Sequence, residues 1–155
     1  MSVRVWLLAP AAAQALAMAV DEGWFHRRRG LPRWERVGHP IDTASVALCY
    51  GWLLARGPGD PGALETYVAL AALSCLLVTK DEFVHARHCA PGEQWLHAVL
   101  FVLHPVVFLA FGALWREGAP AGLFAAQLAL TLAVMMYQIA YWSLPWKRSP
   151  VPPAP

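Results

Sequence analysis

Residues 21–42 read Asp-Glu-Gly-Trp-Phe-His-Arg-Arg-Arg-Gly-Leu-Pro-Arg-Trp-Glu-Arg-Val-Gly-His-Pro-Ile-Asp, and residues 81–97 read Asp-Glu-Phe-Val-His-Ala-Arg-His-Cys-Ala-Pro-Gly-Glu-Gln-Trp-Leu-His. Each stretch sets an acidic pair and a histidine before a turn containing proline, then a glutamate and a second histidine four residues later. Asp21/Glu22 returns as Asp81/Glu82 after sixty residues, and Glu35/His39 returns as Glu93/His97 after fifty-eight. Apolar runs flank both stretches: Val3–Val20 and 41–54 around the first, 64–78 and 95–114 around the second. The pattern predicts two similar helical hairpins, over about 3–56 and 64–116, each with a charged turn.

Composition decides what solvent those hairpins meet. The chain has 155 residues, 58% hydrophobic and 14% charged, with a mean hydropathy of +0.43. A soluble domain carries about 45–50% apolar and about 25% charged residues. Eight Trp, six Phe and four Tyr demand burial and exclude disorder, and three Cys cannot build a disulfide framework. A span needs about 20 residues, so the chain has room for four or five. A fifth apolar run, Ala121–Trp142, completes the set. The expected fold is an all-α integral membrane protein with five transmembrane helices: two duplicated hairpins form a four-helix bundle, and a fifth helix over about 120–146 is an addition. Residues 1–148 form a single transmembrane domain, and the Pro-rich tail 149–155 is expected to be disordered.

Two runs are short for a bilayer of about 30 Å, so polar residues at 35–42 and 79–88 must lie at membrane depth or just beneath the headgroups. Turns fall at Gly57-Pro58-Gly59-Asp60-Pro61-Gly62 and at Gly118-Ala119-Pro120. With five spans, Arg27, Arg28, Arg29, Arg33, Arg36, Lys80, Arg87, Lys147 and Arg148 share one side, and Arg4, Arg56 and Arg116 the other. The positive-inside rule places the N-terminus outside and the C-terminus in the cytoplasm, in a membrane of the bacterial inner-membrane type. Residues 1–20 also have the make-up of a signal peptide, with Arg4, an apolar run and small residues at Ala15, Ala17 and Ala19. Cleavage there would leave the first acidic pair without the helix its twin keeps, and a retained helix is expected.

All six histidines (26, 39, 85, 88, 97 and 104) and seven of the ten acids fall on the cytoplasmic half. Glu22/His26, Glu35/His39 and Glu93/His97 are four apart, stacked on one helix face about 6 Å apart along the axis. Glu82/His85 is three apart. Asp81, Glu82 and Glu22 sit near helix C-termini, where the macrodipole disfavours anions by about 0.3–1 kcal/mol each; a cation among them reverses that penalty. Glu22, His26, Glu35, His39, Glu82, His85, Glu93 and His97 are therefore expected to hold two divalent metal ions. Asp21, Asp42, Asp81 and His88 are alternative or supporting ligands. Nitrogen and oxygen donors without thiolate suit iron first, then zinc or manganese.

This donor set resembles that of ferritin-like di-iron bundles, which take single Glu residues from two helices and Glu-x-x-His from two others. It matches in ligand type and count, and departs in spacing and in lying within a membrane. The clustered HxxxH and HxxHH boxes of the familiar membrane desaturases and hydroxylases are absent.

The expected function is a membrane-embedded dimetal, di-iron oxidoreductase acting on a lipid, isoprenoid or quinone that enters from the bilayer, with an electron-donor protein as partner. A zinc hydrolase using the same ligands and a non-enzymatic sensor or transporter of divalent metal are the alternatives. Tyr137 and Tyr141 on the fifth span are candidate proton donors. His104, about 16 Å deeper than Glu93, is a candidate for lining the substrate cavity. The arginines of the first turn are read as setting topology and meeting anionic headgroups. Cys49 and Cys75 read as packing residues and Cys89 as a reduced turn cysteine. No nucleic-acid module or nucleotide loop is present in the sequence.

Overall fold

The computed structural model describes residues 3–143, and every element among them is helical: α1 (Val3–Val20), α2 (Arg27–Arg29), α3 (Arg33–Ala55), α4 (Ala63–Val78), α5 (Glu82–His88), α6 (Pro91–Arg116) and α7 (Ala121–Ser143). A π-helical turn, Asp21–His26, joins α1 to α2, and a 3-10 turn, Thr79–Asp81, joins α4 to α5. Local chemistry places the breaks. Gly30 takes φ +78° after α2, a left-handed value that glycine adopts without steric cost, and Pro32 sits extended just before α3. Gly62 and Gly118 do the same in the two opposite turns, at φ +71° and +68°. Pro91 opens α6 at the position where a missing N–H costs nothing.

Three stretches, Ala63–His88, Pro91–Arg116 and Ala121–Trp142, are long and apolar enough to cross a membrane. Large apolar side chains stand exposed along the helices: Leu76 is 69% exposed, Leu109 75% and Val102 65%. Outward apolar surface of this kind is consistent with a membrane protein. The tail at 149–155 and the end of the fifth helix lie outside the described residues.

The helices pack in a sequence that differs from simple hairpin stacking. α1 lies against α6, α6 against α4, α4 against α3, and α3 against α7. The fifth long helix is therefore no appendage: α7 has the most extensive packing on α3 and closes the site described below. Near the charged end Thr43 of α3 donates to Gln138 of α7 at 2.8 Å, one of the polar contacts that fix the two helices side by side.

At the other end the interior is dry and aromatic. Tyr50, Tyr67, Phe108, Phe111, Leu114, Trp115 and Phe124 form one buried cluster. Its polar atoms are met internally: the Tyr67 hydroxyl donates to Phe108 O at 2.7 Å, Trp52 Nε1 to Ala63 O at 2.9 Å and Trp115 Nε1 to Arg56 O at 3.0 Å. Gly112 is required here, because a Cβ on it would lie 2.9 Å from the Tyr67 ring. Phe111 meets Tyr50, at 4.9 Å, and Phe124, at 6.1 Å, in edge-to-face contacts. Phe111→Ala is expected to lower stability by about 3–5 kcal/mol, read from denaturation of the detergent-solubilised protein.

Candidate metal centre

The site begins with a spacing. In a π turn the bonded residues are five apart rather than four, and Asp21 and His26 are five apart. Both are buried, and His26 Nε2 lies 3.2 Å from Asp21 Oδ2. The second half reaches an equivalent arrangement with one residue fewer: the 3-10 turn ends on buried Asp81, and α5 then buries His85. Glu22 and Glu82 follow their aspartates, yet only Glu22 is drawn inward, by α7. Trp142 Nε1 donates to Glu22 Oε2 at 2.9 Å and Gln138 Nε2 to Oε1 at 3.3 Å. Burial works to raise the Glu22 carboxyl, but His26 and Trp142 overcome it and hold it down at about 2.

Contacts across the cluster come in corresponding pairs. His26 Nε2 lies 3.9 Å from Glu93 Oε1, and His85 Nε2 lies 3.8 Å from Glu35 Oε1. His97 Nε2 hydrogen-bonds Asp21 Oδ1 at 3.0 Å, and His39 Nε2 lies 4.0 Å from Asp81 Oδ2. The rings of His26 and His39 are 5.0 Å apart, and those of His85 and His97 are 3.8 Å apart. Between the two glutamates sits Arg29. Its Nη2 donates to Glu35 Oε2 at 2.8 Å and its Nε to Glu93 Oε1 at 3.0 Å. Burial works to lower the Arg29 guanidinium, but Glu35 and Glu93 raise it further, and it stays charged.

Two quantities say what the cluster lacks. Among the described residues, both ring nitrogens of His26, both of His85, Nδ1 of His97 and Oδ1 of Asp81 are buried without a hydrogen bond of acceptable geometry. Leaving a buried polar atom so costs about 1–3 kcal/mol, and such atoms in a native fold call for an explanation such as a bound ion. Charge is also unbalanced. Asp21, Glu22, Glu35, Asp42, Asp81 and Glu93 supply six carboxylates, while Arg29 and Lys80 are the side-chain cations paired with them. Burial works to lower the His26 imidazole, but Glu22 and Asp21 raise it above its ordinary value, so protonated imidazole meets part of the remaining charge and a bound cation would meet the rest. Donor atoms close enough to share an ion are offered by Asp21, His26, Glu93 and His97, and by Glu35, His39 and His85. A third set, Glu22, His26 and His39, and a fourth, His85, Cys89 and His97, overlap them.

Several placements differ from the sequence-based expectation. Glu82, expected as a ligand, is exposed, and Asp81 takes the inward position because the 3-10 turn winds more tightly than an α-turn. Asp21, expected in a supporting role, stands directly between His26 and His97. Asp42 supports no imidazole; it binds Lys80 Nζ at 2.6 Å through Oδ1. His88 is exposed. Arg29, grouped by sequence with its neighbours as a topology signal, is a structural member of the site, whereas Arg28 lies over the Trp24 ring and Arg27 over the Tyr141 ring. Cys89, read as a simple turn residue, stands beside His85 and His97.

Below the cluster a cavity of about 490 Å³ runs between α1, α3, α6 and α7. Asp21, Glu22, His26, His39, His85 and His97 form one end of it. Tyr137 lines the wall; Tyr141 stacks on Tyr137 with ring centroids 5.2 Å apart. His104 lines the wall deeper down, bonded to Gln14 at 3.3 Å and Ser74 at 3.1 Å.

No protein-family model, curated protein or solved structure matches the chain. The site therefore rests on its own geometry. Arg29→Met, which leaves Glu35 and Glu93 without their shared partner, is expected to cost about 3–5 kcal/mol in thermal unfolding. Arg33→Ala, at an exposed position on the same turn, is expected to stay within about 0.5 kcal/mol.

Proposed function

We propose that this chain is a membrane-embedded dimetal oxidoreductase, with iron as the metal, acting on a hydrophobic substrate that enters from the bilayer. The observation that carries it is the set of buried imidazole nitrogens without hydrogen bonds, facing carboxylates at one end of an apolar cavity. One ion is held by Asp21, His26, Glu93 and His97. The other is held by Glu35, His39 and His85, with Asp81 beside them. His97 Nε2 stands 3.0 Å from Asp21 Oδ1, so these two residues offer neighbouring donor atoms to that ion.

The corresponding contacts support a duplicated origin for the two hairpins, with Arg29 near the axis relating them. The Arg-rich turn supports placing the cluster at the cytoplasmic face, the N-terminus outside and the C-terminus inside. Exposed cavity-lining residues on both α1 and α7 (Ala15, Ala19 and Leu130) support entry from the side, between those helices.

An iron pair supplies oxygen activation and electron exchange, with electrons delivered by a partner protein or by the substrate. The chain's own residues do the rest. Tyr137 is placed to hand a proton into the cavity, Tyr141 backs it, and His104 shapes the wall. Arg29 keeps two carboxylates charged and in place. The aromatic plug of Tyr50, Phe108, Phe111 and Phe124 closes the far end, which argues against a path for ions through the molecule.

Cys89 favours one second reading. His85, Cys89 and His97 form a nitrogen and sulfur set that suits zinc, as in a hydrolase whose metal-bound water is activated.

The test is elemental analysis of the purified protein together with oxygen uptake. Two iron ions per chain are expected, His26→Ala and His39→Ala should each lose at least one, and reducing equivalents should drive oxygen consumption. Stoichiometric zinc without oxygen uptake would support the hydrolase instead, and a folded, active, metal-free protein would contradict both.

A further inference from the structure

The cavity's polarity is graded along its length. Its lining runs from Asp21 to Ala11 on α1, from His39 to Tyr50 on α3 and from His97 to Val107 on α6. Ten or eleven residues of helix on each wall correspond to a depth of about 15 Å. At the cluster end the buried polar atoms want partners. Farther down, the polar groups have already found theirs. Gln14 bonds His104, His104 also bonds Ser74, and the Thr131 hydroxyl donates to Gln127 O. Thr43 donates to Gln138 at 2.8 Å, and Gln138 in turn donates to Glu22. What the deep walls offer a ligand is therefore hydrocarbon: Ala11, Ala15, Val46, Val107, Leu130 and Val134. A ligand with polar groups spread along it, or at its deep end, would lose its hydration there and gain nothing in return.

We propose that the cavity holds a single-chain amphiphile of the fatty-acid class, tail inward along α1 and α7, with its polar end at the carboxylate–imidazole cluster. This inference rests on the dimetal reading and narrows its substrate: the carbons beside the polar group, rather than the terminal methyl, face the metals. A cavity of about 490 Å³ suits one such ligand, being within the range of about 300–1,000 Å³ usual for small-molecule sites. The slot between α1 and α7, where Ala15 and Leu130 are exposed, lets the chain enter sideways. Trp142 stands at the cluster end, with its ring 6.5 Å from that of His26, and reports on whatever arrives there.

The experiment measures binding of saturated fatty acids of graded length to the intact protein in amphipol, with metal content determined on the same preparation. Affinity should rise with chain length and level off once the cavity is filled. Ala15→Phe and Leu130→Trp change exposed positions and leave the fold intact. Each should weaken hexadecanoate about tenfold, as expected from crowding of about 1.4 kcal/mol, and leave octanoate unchanged. Dodecanoate brominated beside the carboxyl should quench tryptophan fluorescence, and Trp142→Phe should remove that quenching. Length-independent binding, loss of octanoate and hexadecanoate affinity alike in both variants, or quenching of Trp142 only by terminally brominated chain would overturn the inference. So would preference for a ring-headed quinone analogue. Length-dependent chain binding by a metal-free protein would leave the fatty-acid assignment standing and remove the dimetal reading, with it the metal-facing carbons; two metals per chain without length-dependent binding would do the reverse.

Discussion

Six carboxylates and a group of imidazoles buried together at one end of a helical bundle, with Arg29 and Lys80 as the side-chain cations paired to them, set the terms for the rest of the molecule. Gathering like charges in a low dielectric is strongly unfavourable unless opposite charge accompanies them. Arg29 meets part of that demand by serving Glu35 and Glu93 at once, and Lys80 meets another part at Asp42. The rest is left to the centre itself. The aromatic end, in contrast, satisfies its few polar atoms internally and packs tightly. The molecule is thus divided into a half that holds the fold and a half that the fold holds open.

The two hairpins solve one geometric problem by different local routes. Each must turn an aspartate and a histidine to the same side just before a sharp turn. The first does so by widening into a π turn, the second by tightening into a 3-10 turn. Irregular helical turns are common where function sets side-chain direction. Here both irregularities fall at the acidic pairs, and neither falls in the dry half. α7 adds an element that neither hairpin has, bonding Glu22 through Gln138 and Trp142 and forming one wall of the cavity.

Much of this was legible in the sequence. Repetition of the acidic pair and of Glu-x-x-x-His located both turns and placed six of the eight expected ligands in the cluster with matching partners: His26, Glu35, His39, His85, Glu93 and His97. Glu22 is there too, in contact with His26. Glu82 lies outside the cluster because the 3-10 turn at Thr79–Asp81 shifts the helical phase, which residue spacing alone does not reveal. The clue to the π turn was available in the extra residue between Glu22 and His26 relative to Glu82 and His85. Arg29 was hidden among identical neighbours, since composition cannot say which of three arginines turns inward. The role of α7 was hidden as well, because an apolar helix does not record its packing partner.

In the dimetal proposal, cations hold the imidazoles and carboxylates of the two hairpins together. Anomalous diffraction from crystals of the protein, recorded at the iron edge, tests it most directly. The account predicts two peaks, one among Asp21, His26, Glu93 and His97 and the other among Glu35, His39 and His85. Histidine rings converging there with no peak from any metal, in a protein that remains folded and active, would contradict it.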